Sequence, residues 1–242
     1  MTLKEIQLKL YEKLKPSGWG DKLKMFLLSD EFTQILEHLY KNSQADKKFT
    51  PILKDLFRAF EECPYDKLSV IIIGQDPYPT AGVADGISFS CAHTQKEQPS
   101  LKYIFDEIER TVYSPNIPQD ESIILREGYN PDLKRWANQG ILMLNTALTC
   151  EIGEIGSHIE LWKPFTTHLM DVLNTYNTGM IYLFLGNAAK EWHKHISTQN
   201  YKLFTTHPAS AAYRKNKNWD SGNVFNQINK IMNDQYGEQI VW

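Results

Sequence analysis

The sequence predicts an α/β fold, a parallel sheet covered by helices on both faces. Three observations predict it. Four short apolar runs, Val70–Ile73, Ile141–Leu144, Met180–Leu185 and Lys202–Thr206, have the length and composition of buried strands. Segments with helical periodicity lie between them, and strand–helix alternation is the pattern of parallel sheets buried on both faces. The 242 residues, 42% of them hydrophobic, suit one globular unit, and no linker-like stretch divides the chain.

The helices and loops can be taken in chain order. Residues 3–15 and 22–41 repeat apolar positions three or four apart, with Met25, Phe26, Phe32, Ile35, Leu36 and Leu39 marking the second stripe. Each is predicted as one helix. Residues 51–62, "PILKDLFRAFEE", predict a further helix with Pro51 in its first turn. Residues 1–62 are thus a helical N-terminal part expected to pack on the sheet. Helices are also predicted near 100–111, 131–139, 160–175 and 187–196. The polar stretch 112–130 reads as a loop or insertion.

Bulk properties exclude some functions. The formal net charge is −3, so nothing global advertises a nucleic-acid partner, although footprints depend on local charge. No apolar run is long enough to span a bilayer. The N-terminus, "MTLKEIQLKLYEKLK", is amphipathic and lacks the apolar core of a secretory signal. Cys63, Cys91 and Cys150 are widely separated and match no zinc or iron–sulfur spacing. These features predict a reduced intracellular compartment, the cytoplasm. They predict no cysteine-bound zinc or iron–sulfur cluster and no membrane contact.

Ligands of open α/β sheets bind outside the carboxyl ends of the strands. The first run is followed by Gly74-Gln75-Asp76-Pro77-Tyr78, the second by Asn145-Thr146, the third by Gly186-Asn187 and the fourth by His207-Pro208. A carboxylate, an amide and an imidazole therefore converge on one sheet edge. An amide that both donates and accepts can read a heterocycle's carbonyl and N–H edge, and an imidazole can polarise it. A carboxylate can act on the reacting carbon or on a water. Each residue also has a structural role open to it: Asp76 as a turn residue before proline, Asn145 as a helix cap, His207 as a strand-to-loop corner. Their occurrence at three strand ends favours a site.

The segments "GQDPYP", "ILMLNTALT" and "HPAS" resemble the signature segments of family 1 uracil-DNA glycosylases. "GISFS" at 86–90, "IVW" at 240–242 and "WGDKLKMFLLSDEFTQILEHL" near the start are similar to that family as well, so the resemblance covers roughly residues 19–242. It implies a three-layer α/β/α sandwich around a four-stranded parallel sheet. It also implies hydrolysis of the bond between uracil and deoxyribose in DNA, without metal or cofactor. In that reading the tight turn at Gly74 aims Asp76 at the sugar.

The resemblance assigns roles. Asp76 and His207 are the catalytic pair, Asp76 at the sugar cation and the attacking water, His207 at the departing uracil O2. The Gln75 backbone N–H is a second donor to that oxygen. Phe89 stacks on the flipped base, Tyr78 excludes the thymine methyl, and Asn145 reads N3–H and O4. Pro79, Ser100, Asn187, Ala211, Tyr213 and Arg214 are the DNA-contact candidates, with Lys215 and Lys217 beside them. The partner implied is uracil-containing DNA, with an acidic DNA-mimicking inhibitor protein as a second candidate. The chain is expected to act as a monomer.

Three departures from the family pattern bear on function. Pro79 replaces the histidine that usually closes the first motif, a pointer to viral or phage branches. Asn187 stands where the family usually places serine. The last motif is usually His-Pro-Ser-Pro-Leu-Ser, whose leucine wedges into the DNA; here it is His207-Pro208-Ala209-Ser210-Ala211-Ala212. Alanine is a poor wedge. Weaker flipping from duplexes and a preference for single strands are expected, with Tyr213 as the substitute wedge. The altered motif also leaves open a binding protein that holds DNA or a replication partner without cutting it. A flavodoxin-like nucleotide binder would need a glycine-rich phosphate loop after the first strand, which the sequence lacks.

Overall fold

Branched and aromatic residues form the strands that organise the computed structural model, which describes residues 2–45, 48–113, 129–214 and 218–242. Strand β1 (Phe49–Thr50) pairs antiparallel with β4 (Cys150–Glu151) in a small separate ribbon. The main sheet contains β2 (Val70–Gly74), β3 (Ile141–Asn145), β5 (Ile181–Leu185) and β6 (Tyr201–Thr205), in the order β3-β2-β5-β6, all parallel. Every residue of β2 and β5 is buried, which requires cover on both faces. β3 and β6 are the edge strands, and β6 stays partly exposed at Tyr201 and Phe204. The predicted α/β/α sandwich is therefore present, each sheet strand lying within one residue of its expected bounds.

The helices depart more from expectation. Residues 3–15 form α1 (Leu3–Leu14), but 22–41 is two helices, α2 (Trp19–Leu27) and α3 (Asp30–Gln44). Ser29 causes the break: its side chain accepts from the Phe32 N–H at 3.2 Å and caps α3. Residues 51–62 divide into a 3₁₀ turn (Leu53–Asp55) and the short α4 (Arg58–Glu62). Helix α5 (Pro99–Ile108) runs into a π-turn (Glu109–Tyr113), and α6 (Lys134–Ala137) is a single turn. Of the loop expected over 112–130, residues 114–128 lie outside those described. Helix α7 (Ile159–Tyr176) matches its prediction; α8 (Asn187–Lys190) continues as a 3₁₀ turn (Glu191–His195). A last helix, α9 (Val224–Tyr236), has no counterpart among the expected elements.

Helices α1–α3 pack on one another, and α2 and α3 pack on α7; α4 reaches β3, and α9 packs on β5 and β6. A continuous apolar core runs from Leu10 to Trp242, with Trp19, Trp136 and Trp162 fully buried within it. Within this frame the carboxyl ends of β2, β3 and β6 lie at one edge.

Candidate active site

β2 ends at Gly74, β3 at Asn145, and β6 two residues before His207. Gly74 pairs with Asn145 in the parallel register. Its φ lies outside the left-handed region, so the backbone there does not itself require glycine. The position excludes a side chain for another reason: a Cβ on Gly74 would sit 2.6 Å from Asn145 Oδ1 and 3.0 Å from Ser88 Oγ. Glycine makes room for the amide.

Beyond the strands lies a cavity of about 390 Å³ whose lining includes Asp76, Tyr78, Phe89, Ser100, Ile155 and His207. Asn145 lines a small adjoining cavity of about 20 Å³, and Pro77, Tyr78 and Phe89 wall both. Asp76 and His207 thus share one cavity, and Asn145 lines the smaller one beside it, the two sharing Pro77, Tyr78 and Phe89.

The Asp76 carboxylate is held by its neighbour, Gln75 Nε2 donating to Oδ2 at 2.6 Å. Oδ1 is buried and accepts no hydrogen bond among the described residues. Burial raises the Asp76 pKa above the ordinary carboxylate value; the Gln75 amide and the nearby Gly156 N–H oppose that rise.

His207 is set differently. The Ala209 backbone N–H donates to Nδ1 at 3.2 Å, so Nδ1 holds a lone pair and the proton of the neutral ring sits on Nε2. Burial lowers the His207 pKa, which keeps the ring neutral near pH 7. The ring is a preorganised neutral donor.

The aromatic wall is fastened from behind. Phe89 adopts φ 65°, a left-handed conformation that costs a bulky residue about 1–3 kcal/mol. Its ring lies 5.7 Å from the His207 ring between centroids, tilted by 41°. Tyr78 Oη donates to the Phe89 carbonyl at 3.1 Å. The fully buried Asp85 accepts from the Ile87 N–H, the Ser90 hydroxyl and the Ala92 N–H, and Arg58 Nη1 lies 3.0 Å from its Oδ2. Ser88 Oγ donates to Asn145 Oδ1 at 2.8 Å, which orients the amide and leaves Oδ1 one free lone pair.

The other predicted positions divide. Pro79 and Ser100 line the main cavity, with Ser100 just inside the start of α5. Asn187 is exposed at the start of α8, away from that lining. Tyr213 is 93% exposed, and Arg214 Nη1 lies 3.9 Å from Asp220 Oδ2. Ala211 corrects an expectation: it is fully buried under the turn Pro208–Tyr213, so its methyl group packs the core and cannot face DNA. Lys215 and Lys217 lie outside the described residues. Sequence reasoning missed Ile155, Ala209 and Ser88. The exposed isoleucine between Gly153 and Gly156 was a readable signal; the Ser88–Asn145 contact, across 57 positions, was not.

A doubly covered parallel sheet, with an aromatic-walled slot and a carboxylate and imidazole at its strand ends, defines an α/β protein with an enzyme-type pocket at the carboxyl edge of its sheet. Residues 60–233 match the family model of the uracil DNA glycosylase superfamily. The chain belongs to that superfamily. It is 31% identical over 226 residues to uracil-DNA glycosylase 1 of Listeria monocytogenes, covering 93% of this chain and 96% of that one. It is 32% identical over 227 residues to the uracil-DNA glycosylase of Acinetobacter baumannii, covering 93% and 91%. Among solved structures it resembles a mimivirus UNG variant in complex with UGI, with a TM-score of 0.77, 25% identity, and 95% and 90% of the two chains covered.

Proposed function

We infer that this protein excises uracil from DNA, hydrolysing the N-glycosidic bond to release free uracil and leave an abasic site. The observation that carries the reading is the pairing in one cavity of Asp76, a half-buried carboxylate whose pKa burial raises, and His207, a neutral Nε2–H donor.

The sugar carbon is unreachable in a stacked base pair, so the nucleotide must leave the helix. The uracil ring enters beside Phe89, where stacking contributes roughly 1–3 kcal/mol. Asn145 accepts from N3–H with the lone pair that Ser88 leaves free and donates to O4; cytosine inverts that pattern and leaves buried groups unpaired. Tyr78 closes the slot against a 5-methyl group, which disfavours thymine. As the bond to the base breaks, positive charge develops on the sugar and negative charge on the uracil. Asp76 stabilises the sugar and orients the incoming water through its carboxylate. His207 Nε2–H and the Gln75 backbone N–H stabilise the O2 charge; one such donor is worth about 2.7–4 kcal/mol.

Pro79 and Ser100 contact the DNA backbone at the cavity rim, Tyr213 and Arg214 beside it. Uracil-containing DNA is the partner, single strands are preferred, and the chain acts as a monomer. A protein inhibitor is a second partner, supported by the likeness to a mimivirus UNG solved in complex with UGI. No helix among the described residues is long and apolar enough to cross a membrane; a cytoplasmic, reducing compartment suits the three buried free cysteines.

The alternative, DNA holding without cleavage, leaves unexplained why a carboxylate is kept half-buried, with its pKa raised by burial, in one cavity with a neutral imidazole. The test is abasic-site formation on a uracil-containing oligonucleotide. Excision by the wild type, lost in Asp76→Asn and His207→Leu, is expected; tight DNA binding with no excision would overturn the reading.

A further inference from the structure

Ile155 is 70% exposed, yet it lines the cavity that holds Asp76 and His207. A lone exposed aliphatic is ordinary on a protein surface. This one is distinguished by its mounting. It sits in a turn closed by the Glu154 N–H to Glu151 O bond and by Ser157, whose hydroxyl donates to Glu154 O and accepts from the Glu151 N–H, both at 2.8 Å. Gly153 and Gly156 flank it at φ 87° and 82°, a geometry that alanine would strain. The Gly153 N–H donates to the Pro79 carbonyl at 2.9 Å, tying the turn to the segment that carries Asp76. The Gly156 N–H lies close enough to Asp76 to favour its charged form.

We propose that Ile155 is the apolar side chain that packs into the base step next to the extruded uridine and holds that step unstacked. This rests on the reading of the protein as an enzyme acting on uracil in DNA. Unstacking a step costs a few kcal/mol, and proteins that open DNA offset it with a rigidly mounted aliphatic or proline. Among the described residues lining the cavity, Ile155 is the branched aliphatic; Ala209 offers one methyl group. Ala211 is buried, and Tyr213, though exposed, does not line the cavity. A wedge on the Glu151–Ser157 turn enters beside the carboxylate, so base extrusion and the placing of Asp76 against the sugar are coupled through one rigid unit.

The test compares the full-length wild type with Ile155→Ala, Ile155→Leu and Tyr213→Ala on one uracil-containing sequence, single- and double-stranded. Ile155→Ala should lower kcat/KM on the duplex about tenfold or more and change single-strand excision by less than about threefold. Ile155→Leu should keep most duplex activity. A 2-aminopurine beside the uracil should brighten on wild-type binding and brighten less with Ile155→Ala. Because Ile155 is exposed, thermal stability should not move. Equal losses on both substrates, an unchanged duplex rate, or a duplex loss confined to Tyr213→Ala would overturn the proposal. A wild type without excision on either substrate would sink the functional reading itself, and the proposal with it.

Discussion

Gly74 and Asn145 face each other across β2 and β3, and a single methyl group on Gly74 would sit 2.6 Å from the Asn145 amide oxygen. The strand end is shaped by the side chain it must not displace. Gly74→Ala should therefore push the amide out of register with the bound base. Misplacement of about 1 Å costs on the order of 10²-fold in rate. The expected outcome is that loss of kcat/KM, with circular dichroism showing a folded protein. Wild-type activity in the variant would refute the packing account.

Ser88 fixes which face of the Asn145 amide meets the base. Ser88→Ala leaves the amide free to rotate and removes one hydrogen bond, worth about 0.5–1.5 kcal/mol. Uracil excision should fall about 3- to 10-fold. Excision from cytosine-containing DNA, scored on the same gels, should rise relative to uracil. Unchanged discrimination would mean that backbone packing alone orients Asn145.

His207→Leu removes the Nε2–H donor and the ring that accepts from Ala209. A loss of about 10²–10³ in kcat is expected, with a smaller change in KM. Single-turnover excision measures it directly. Protonation of the ring would set a second N–H against the Ala209 N–H, in addition to the burial that lowers the His207 pKa. Between that lowered value and the ordinary one the unfolded chain binds more protons, so stability contributed by His207 rises with pH across this window and is lost below it.

Asp76 has the opposite sign. Its pKa is raised in the folded protein, so in the window above the ordinary carboxylate value the folded state binds more protons than the unfolded one. Stability contributed here falls as pH rises through that window. At neutral pH the ionised, half-buried carboxylate destabilises the fold. Asp76→Asn should abolish excision and raise Tm at pH 7, with the gain shrinking below the carboxylate range. A Tm that falls at pH 7 would show that the charge is satisfied in the fold. The wild-type rate should also drop on acidification at a pH above the usual aspartate titration.

Arg58 reaches Asp85 and Asp132 at 3.0 and 2.7 Å and braces the segment that holds Phe89 at positive φ. Arg58→Met would leave the buried Asp85 without its cation. Removing one partner of such a pair costs about 3–5 kcal/mol, readable as a lower urea midpoint. Excision should also weaken through KM, since the stacking wall loosens. A midpoint within error of the wild type would show that the hydrogen bonds to Asp85 suffice.

Val70–Ile73 and Ile141–Leu144 announce buried strands by composition alone, and the residues just past the apolar runs put Asp76, Asn145 and His207 at the carboxyl edge on sequence grounds. Those features are local: strand burial demands continuous apolar residues, and a parallel sheet presents its strand ends together. Ser29 interrupts the helix expected over 22–41, a signal that was readable but outweighed by periodicity on both sides. The helix Val224–Tyr236 is hidden among asparagines and glutamines, because burial of Val224, Phe225, Ile228 and Met232 rather than propensity stabilises it. Tertiary structure alone decided that Asp76 is half-buried in one cavity with His207, that Ala209 fixes the His207 tautomer, that Ala211 faces the core, and that Ile155 stands at the cavity rim. Each of these depends on which atoms meet after distant segments pack, and burial, which sets the direction of both catalytic pKa shifts, belongs to the assembled fold rather than to a stretch of chain.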